Sequence, residues 1–372
     1  MARRPAKTVV HVVGGNTWKP QFRFLGSTKD IVGRRDYFAA RGIECHELVV
    51  PNRNDELCLK MLRSTDFSAV DAVIFEHPRY PKSLAFLRRD HPAVTRVIRG
   101  HNAELIHQLH TAAAFLRCGL GTPRWRYARA LGALSSAWRR FRYDWTSARL
   151  SDFVLAISEW EARHYWSRLG PAGRAVWCPY FLPEKYLPSR PDAGSLPGDP
   201  PRRCLVSGSA NWSPVAHHAV RVLIDLVEAL PAEVIDGWEF SVSGELGPRS
   251  RGERPTPGDR VTALGLVGDP IALMAETRVL AHLSNLGMGF KTKLLDFVLA
   301  SGGWLLVPAR LASRLPLALQ SHCIVVEPLS PDALARALNA AAATMPARGD
   351  VNEALKRQAF AALDRALGHI PV

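Results

Sequence analysis

The feature that most constrains this chain is an alternation of short apolar runs with helical stretches, repeated twice and broken once. Val9 to Val13, Ile43 to Val50, Val70 to Phe75, Val94 to Ile98, Phe153 to Ile157 and Val176 to Cys178 read as buried strands. Between them, Asp30 to Arg41, Asp55 to Arg63, Pro81 to Arg89 and Ala103 to Arg149 carry apolar residues at helical spacing, and Ser158-Glu159 opens a further helix with capping chemistry. Strands that alternate with helices predict a parallel sheet covered by helices. The segment Pro179 to Pro201 is rich in Pro, Gly, Asp and Ser and reads as a linker. After it the alternation resumes, from Cys204 to the helix Pro331 to Ala343, and a last helix runs over about Val351 to Leu367. The expected fold is α/β, with two doubly wound, Rossmann-like domains facing a cleft. The expected boundaries are 1–183, a linker over 184–202, and 203–350, with helix 351–369 returning to the first domain. In such sheets ligands sit beyond the C-terminal ends of the strands.

Length and composition agree. At 372 residues two domains are expected, and a 47% hydrophobic content can fill both cores. No stretch reaches the ~18 apolar residues of a spanning helix. The opening MARRPAKTVVHVVGG has a short, β-branched apolar run ended by Gly-Gly, which reads as a first strand and not as a signal sequence. The six cysteines are scattered without a CxxC pair, which argues against metal ligation or a disulfide framework and for a reducing cytoplasm. A net charge of +14 and a pI near 9.9 ask for an anionic partner: a nucleotide-linked substrate, anionic lipid or nucleic acid.

The most informative single stretch is Leu283 to Gly303, LSNLGMGFKTKLLDFVLASGG. It runs from a strand through the Gly-x-Gly turn at Gly287 and Gly289 into a helix, then to Gly-Gly and another strand. Glycines let backbone approach a bulky anion, and a helix N-terminus offers unpaired N–H groups with partial positive charge. Lys291 and Lys293 add full charge, and Asp296 follows where a carboxylate can accept from sugar hydroxyls. The loop suits a phosphate ester attached to a sugar.

Taken in order, GxGxxxKxxD, Gly14-Gly15, RGHNAE (Arg99 to Glu104), SDFVLAISEWE (Ser151 to Glu161), LVSGSANWSPVAHHAV (Leu205 to Val220) and VTALGLVGD (Val261 to Asp269) resemble the family 4 glycosyltransferases, retaining enzymes of the glycosyltransferase-B fold. The resemblance implies metal-independent transfer of a sugar from a nucleoside-diphosphate sugar to a glycan, lipid-linked or small-molecule acceptor. The nucleotide sugar is a substrate, so no cofactor and no metal are expected. It implies that Asp296 holds the ribose, that Lys293 neutralises the diphosphate, and that Gly287, Gly289, Lys291 and Gly208 line the donor. Backbone at Leu266 and Val267 would meet the base. The acceptor would lie against Gly14, Gly15, Arg99, Asn102 and Glu104, with His101 beside the reacting face. The sequence departs from the family pattern in two places: Asp296 stands where glutamate is usual, and Met288 where a first acid often lies.

Two other readings stay open from sequence. One is a sugar-nucleotide epimerase on the same fold, for which Glu76 and Glu104 are the only cleft carboxylates in view. The other is a non-catalytic basic module acting through Arg117 to Arg149. That run mixes arginines with Trp, Tyr and Phe, so peripheral contact with an anionic inner membrane face is one reading of it. The plainer reading is a helix pair with a core stripe of Leu and Trp and a solvated arginine face.

Overall fold

The computed structural model describes residues 6–117, 121–187, 201–208, 213–245, 259–347 and 349–369. The middle of the expected linker (188–200), Cys118, residues 209–212 of the Leu205 to Val220 motif and residues 246–258 lie outside them. The first half of the chain runs β1 (Thr8–Gly14), α1 (Gly26–Ala40), β2 (Glu44–Val50), α2 (Asp55–Arg63), β3 (Ala72–Phe75), α3 (Pro81–Asp90), β4 (Thr95–Gly100), α4 (Glu104–Arg117) and α5 (Pro123–Leu150). It continues with β5 (Phe153–Ala156), a bent helical segment of α6 (Glu159–Glu161), a π-helical turn (Ala162–Trp166) and α7 (Ser167–Leu169), then β6 (Ala175–Trp177). These strands form one parallel sheet in the order β2-β1-β3-β4-β5-β6.

The second half begins with β7 (Arg203–Ser207), α8 (Pro214–Glu228), α9 (Ala232–Ile235), β8 (Glu239–Ser243), β9 (Val261–Gly265), α10 (Pro270–Ala275) and β10 (Val279–Ala281). It ends with α11 (Thr292–Ser301), β11 (Trp304–Val307), α12 (Ala309–Ala312), α13 (Leu317–Gln320), β12 (Cys323–Val325), α14 (Pro331–Ala343) and α15 (Val351–Leu367). The second sheet is also parallel, in the order β12-β11-β10-β7-β8-β9. Among the described residues no helix is long and apolar enough to cross a membrane.

Local chemistry explains the boundaries. Asn54 caps α2 by accepting from the N–H groups of Glu56 and Leu57, Asp269 caps α10, and Ser158 accepts from Glu161. α11 ends on Gly302, in the left-handed region at φ 69°.

The last helix lies against the first sheet. Leu355, Ala359, Leu363 and Leu367 join a core with Val9, Ile74 and Val97. Asp364 accepts from the Tyr37 hydroxyl and takes Arg41 in a bidentate pair, and the Leu367 carbonyl accepts from the Ala6 N–H.

One boundary needs correction. β4 extends through Gly100, so Arg99 lies inside the strand and not past its end. A charged side chain marks the end of an apolar run, but here it turns inward onto a buried carboxylate: Arg99 is 0% exposed and pairs bidentately with Asp30 at 2.9 Å.

Candidate active site

Parallel strands deliver their following loops to one edge of each sheet, and the two edges face each other. From the first sheet come Gly14-Gly15, Glu76-His77 and His101-Asn102, which follow β1, β3 and β4. From the second come Gly208, Leu266-Val267 and the long segment His282 to Lys291, which follow β7, β9 and β10.

The Gly-x-Gly segment forms the seam. Gly287 and Gly289 have φ of 94° and 79°, which only glycine adopts without strain. The Gly289 N–H donates to Glu161 Oε1 at 2.9 Å, and the Gly287 N–H to His110 Nδ1 at 3.0 Å. With its amide nitrogen turned to donate, Asn102 reaches the carbonyls of His101 and Met288 at 2.9 and 3.1 Å. A Cβ on residue 289 would overlap the Asn102 side chain and the His101 carbonyl. Gly289→Ala is therefore expected to hold the two sheet edges apart. Small-angle scattering should then show a more open molecule than wild type.

Cations gather behind this seam, with Glu161 the nearest carboxylate to them. Lys291 donates to the Met288 carbonyl at 3.1 Å, and Lys293 to the Ser207 carbonyl, beside Gly208. Burial, opposed by the Glu161 carboxylate and helped by Arg314, lowers Lys291 to a pKa of about 8, and burial with Lys291 nearby lowers Lys293 to about 7. Arg310 and Arg314 line the same narrow cleft as His282, Ser284, Asn285 and Lys291. Burial pushes His282 well below its ordinary value, with the two lysines adding to the shift, so the ring is neutral there. Among the described residues neither Lys291 nor Lys293 has a carboxylate within salt-bridge distance.

Asp296 lies close by in sequence and is turned away in space. It is 3% exposed; one oxygen takes Lys29 of α1, and the other accepts from the Tyr180 hydroxyl at 3.0 Å. Both oxygens are committed to a contact between the halves, so in this arrangement no face of Asp296 is open to a ribose.

On the first sheet's edge, His101 stands 3.5 Å from Glu76 and 3.8 Å from Asp30, with its ring against His77 at 4.7 Å between centroids. Asp30, Glu76 and His101 form the one group with metal-ligand spacing among the described residues. Arg34 bridges both carboxylates, Arg99 takes Asp30 and His11 takes Glu76. Burial would raise both carboxyls, but Arg34 with Arg99, and Arg34 with His11, outweigh it and hold them below the ordinary range. Two guanidiniums already balance two carboxylates, so a divalent cation would meet repulsion there.

The remaining expected positions spread along the same edge. Gly14 lies under the Arg53 side chain and Gly15 against the Pro51 backbone. Glu104 opens α4 and pairs with Arg140 of α5 at 2.5 Å. Burial lowers the pKa values of Arg53 and Arg79, with Arg79 repelling Arg53 and Arg140 repelling Arg79, and both lie within electrostatic reach of Glu104. Leu266 is exposed on the loop after β9, two strands from β7. That offset is about 10 Å, at the usual strand spacing.

Several residues of this edge were not singled out from sequence. Glu161 is the clearest: it stands three residues after the cap Ser158, where a capping-box glutamate belongs. Instead of closing that box it reaches Ala103 and Gly289, and burial pushes it up to about 7. His110, His282, Lys29 and Arg314 carry no local signal, since each acquires its role only across the seam.

No protein-family model and no curated protein sequence matches the chain. Solved structures do. Sucrose-phosphate synthase from Thermosynechococcus elongatus superposes with a TM-score of 0.58 at 13% identity, over 97% of this chain and 96% of that one. WaaG, a glycosyltransferase involved in lipopolysaccharide biosynthesis, gives 0.53 at 15% identity, over 96% and 95%. Anabaena HepE in complex with UDP-glucose gives 0.51 at 14%, over 97% and 94%. The chain thus has the two-domain, Rossmann-like glycosyltransferase-B fold.

Proposed function

We propose that the chain is a glycosyltransferase that moves a sugar from a nucleoside-diphosphate sugar to an acceptor hydroxyl, with retention and without a metal ion. The observation that carries this reading is the Lys291–Lys293 pair: two half-buried amines at the end of a central strand, with lowered pKa values and no carboxylate on either. A site that keeps two amines out of any direct ion pair suits an anion that arrives with the substrate. The likeness of fold to HepE, whose structure holds UDP-glucose, supports a sugar nucleotide as that anion.

In this reading Lys293, Lys291 and the N–H groups around Gly287 and Gly289 take the diphosphate, Gly208 leaves room beside it, and Leu266-Val267 meet the base. The bond between the anomeric carbon and the phosphate oxygen breaks, and charge grows on the diphosphate, where the lysines stabilise it. The acceptor oxygen bonds to the anomeric carbon from the same face and gives its proton to the departing phosphate oxygen. His101 and Asn102 border the reacting face, while Asp296 fastens the two halves together. Gly14, Gly15, Glu104, Arg53, Arg79 and Arg140 hold the acceptor, and their positive charge favours one that is itself anionic. The five free cysteines among the described residues fit a reducing cytoplasm.

Calorimetry with a panel of nucleoside diphosphates tests this. A bound diphosphate favours charged lysines, so binding at pH 8 is expected to take up protons and show a buffer-dependent heat. Affinity should fall about tenfold or more between pH 6.5 and 9 as the free site loses its protons. No binding by any nucleoside diphosphate, or binding without proton uptake, would sink the reading.

A further inference from the structure

The run Arg117 to Arg149 departs from its plainer expectation. In α5 the residues that face inward are small: Ala130, Ala133 and Ala137 are buried, with Asp144, Ser147 and Ala148 further along. Ala130 and Ala133 pack with Ala112 of α4. The large apolar residues face out. Tyr127, Leu131 and Trp138 are 63%, 65% and 63% exposed, and Leu134 and Trp145 are also exposed.

Positions 127, 131, 134, 138, 141 and 145 are spaced by four and three residues in turn, so they fall on one side of the helix as a continuous stripe. Phe141 is half-buried and completes it, 5.6 Å from Trp138 between ring centroids. Such spacing also suits pairing with a second copy, as in a coiled coil. The charges argue against that. The helix holds seven arginines and one acid, and the acid, Asp144, is buried. Arg124, Arg142 and Arg149 border the stripe, so two copies would set arginine against arginine along the whole seam. An apolar stripe with tryptophans, edged only by cations, matches an anionic bilayer surface instead.

We infer that α5 docks this protein on anionic lipid, lying in the plane of the interface with Tyr127, Leu131, Leu134, Trp138 and Trp145 among the headgroups. The other side of the helix carries Arg140, paired with Glu104 at the sheet edge. One helix diameter, about 10 Å, separates the stripe from that pair. Docking therefore presents the first sheet's edge to molecules held in the membrane. The inference rests on the helix alone and holds whether or not the cleft takes a sugar nucleotide.

Flotation of the full chain with vesicles tests it. Phosphatidylcholine vesicles containing phosphatidylglycerol should carry the protein, pure phosphatidylcholine should not, and high salt should release it. The exposed triple variant Leu131→Ser/Leu134→Ser/Trp138→Ser should melt like wild type, bind nucleoside diphosphates equally, and lose at least tenfold in vesicle binding. Arg124→Gln/Arg142→Gln/Arg149→Gln should weaken binding as well. Absence of binding to the anionic vesicles, or binding unchanged by the serine substitutions, overturns the inference. So does a wild-type dimer in sedimentation that the serine variant splits, which would make the stripe a self-interface. DNA binding as tight as vesicle binding, and indifferent to the serine changes, would mark a nucleic-acid surface.

Discussion

Replacing Lys293 with alanine is expected to lower kcat/KM for donor by about two to three orders of magnitude, the usual effect of removing one fixed charge from a site where negative charge develops. The same substitution should leave the melting temperature unchanged or raise it. Burial lowers the Lys293 amine to a pKa of about 7, and its hydrogen-bond partner is a neutral carbonyl, that of Ser207. A lysine whose pKa falls on folding opposes folding at every pH below its unfolded value, and most fully below the folded one. Removing it lifts that opposition near neutral pH. Steady-state donor turnover and thermal unfolding of one preparation check both halves. Turnover within threefold of wild type would remove Lys293 from the mechanism.

Asp296→Ala is expected to act the other way, chiefly on stability. It strands Lys29, 2% exposed, without its carboxylate, and leaves the Tyr180 hydroxyl without its acceptor. Breaking a buried pair from one side costs about 3–5 kcal/mol, which urea unfolding should show as a lowered midpoint. The double variant Lys29→Met/Asp296→Leu removes both charges and should recover most of the loss. If Asp296→Ala instead kept full stability and lost donor affinity, Asp296 would be a ribose ligand, as the family resemblance implies.

The contrast between these residues shows what was legible in the sequence. Two parallel sheets follow from the period of the apolar runs, which is a local property. The Gly287–Gly289 turn follows from a local need as well, since positive φ demands glycine. Asp296 does not follow, because its partner lies 267 positions away, and nothing near either residue announces the other. Arg99 was placed beyond its strand for a related reason: only Asp30, in another element, makes a buried guanidinium tolerable at that point.

Helix α5 shows a different limit. Its sequence carries two periodic stripes, one of alanine and one of Leu, Trp and Tyr. Size favours the second as core. The close approach of α4 selects the first, and that approach is visible only once both helices are in place.

The docking of α15 bears on the order in which the molecule can be made. Tyr37 and Arg41, at the C-terminal end of α1, meet Asp364 of α15, more than 320 residues later. A ribosome delivers Val351–Leu367 only after every strand of the second sheet. The nascent first sheet must therefore leave the exit tunnel with an apolar face uncovered and wait, through the making of an entire second sheet, for the helix that closes it.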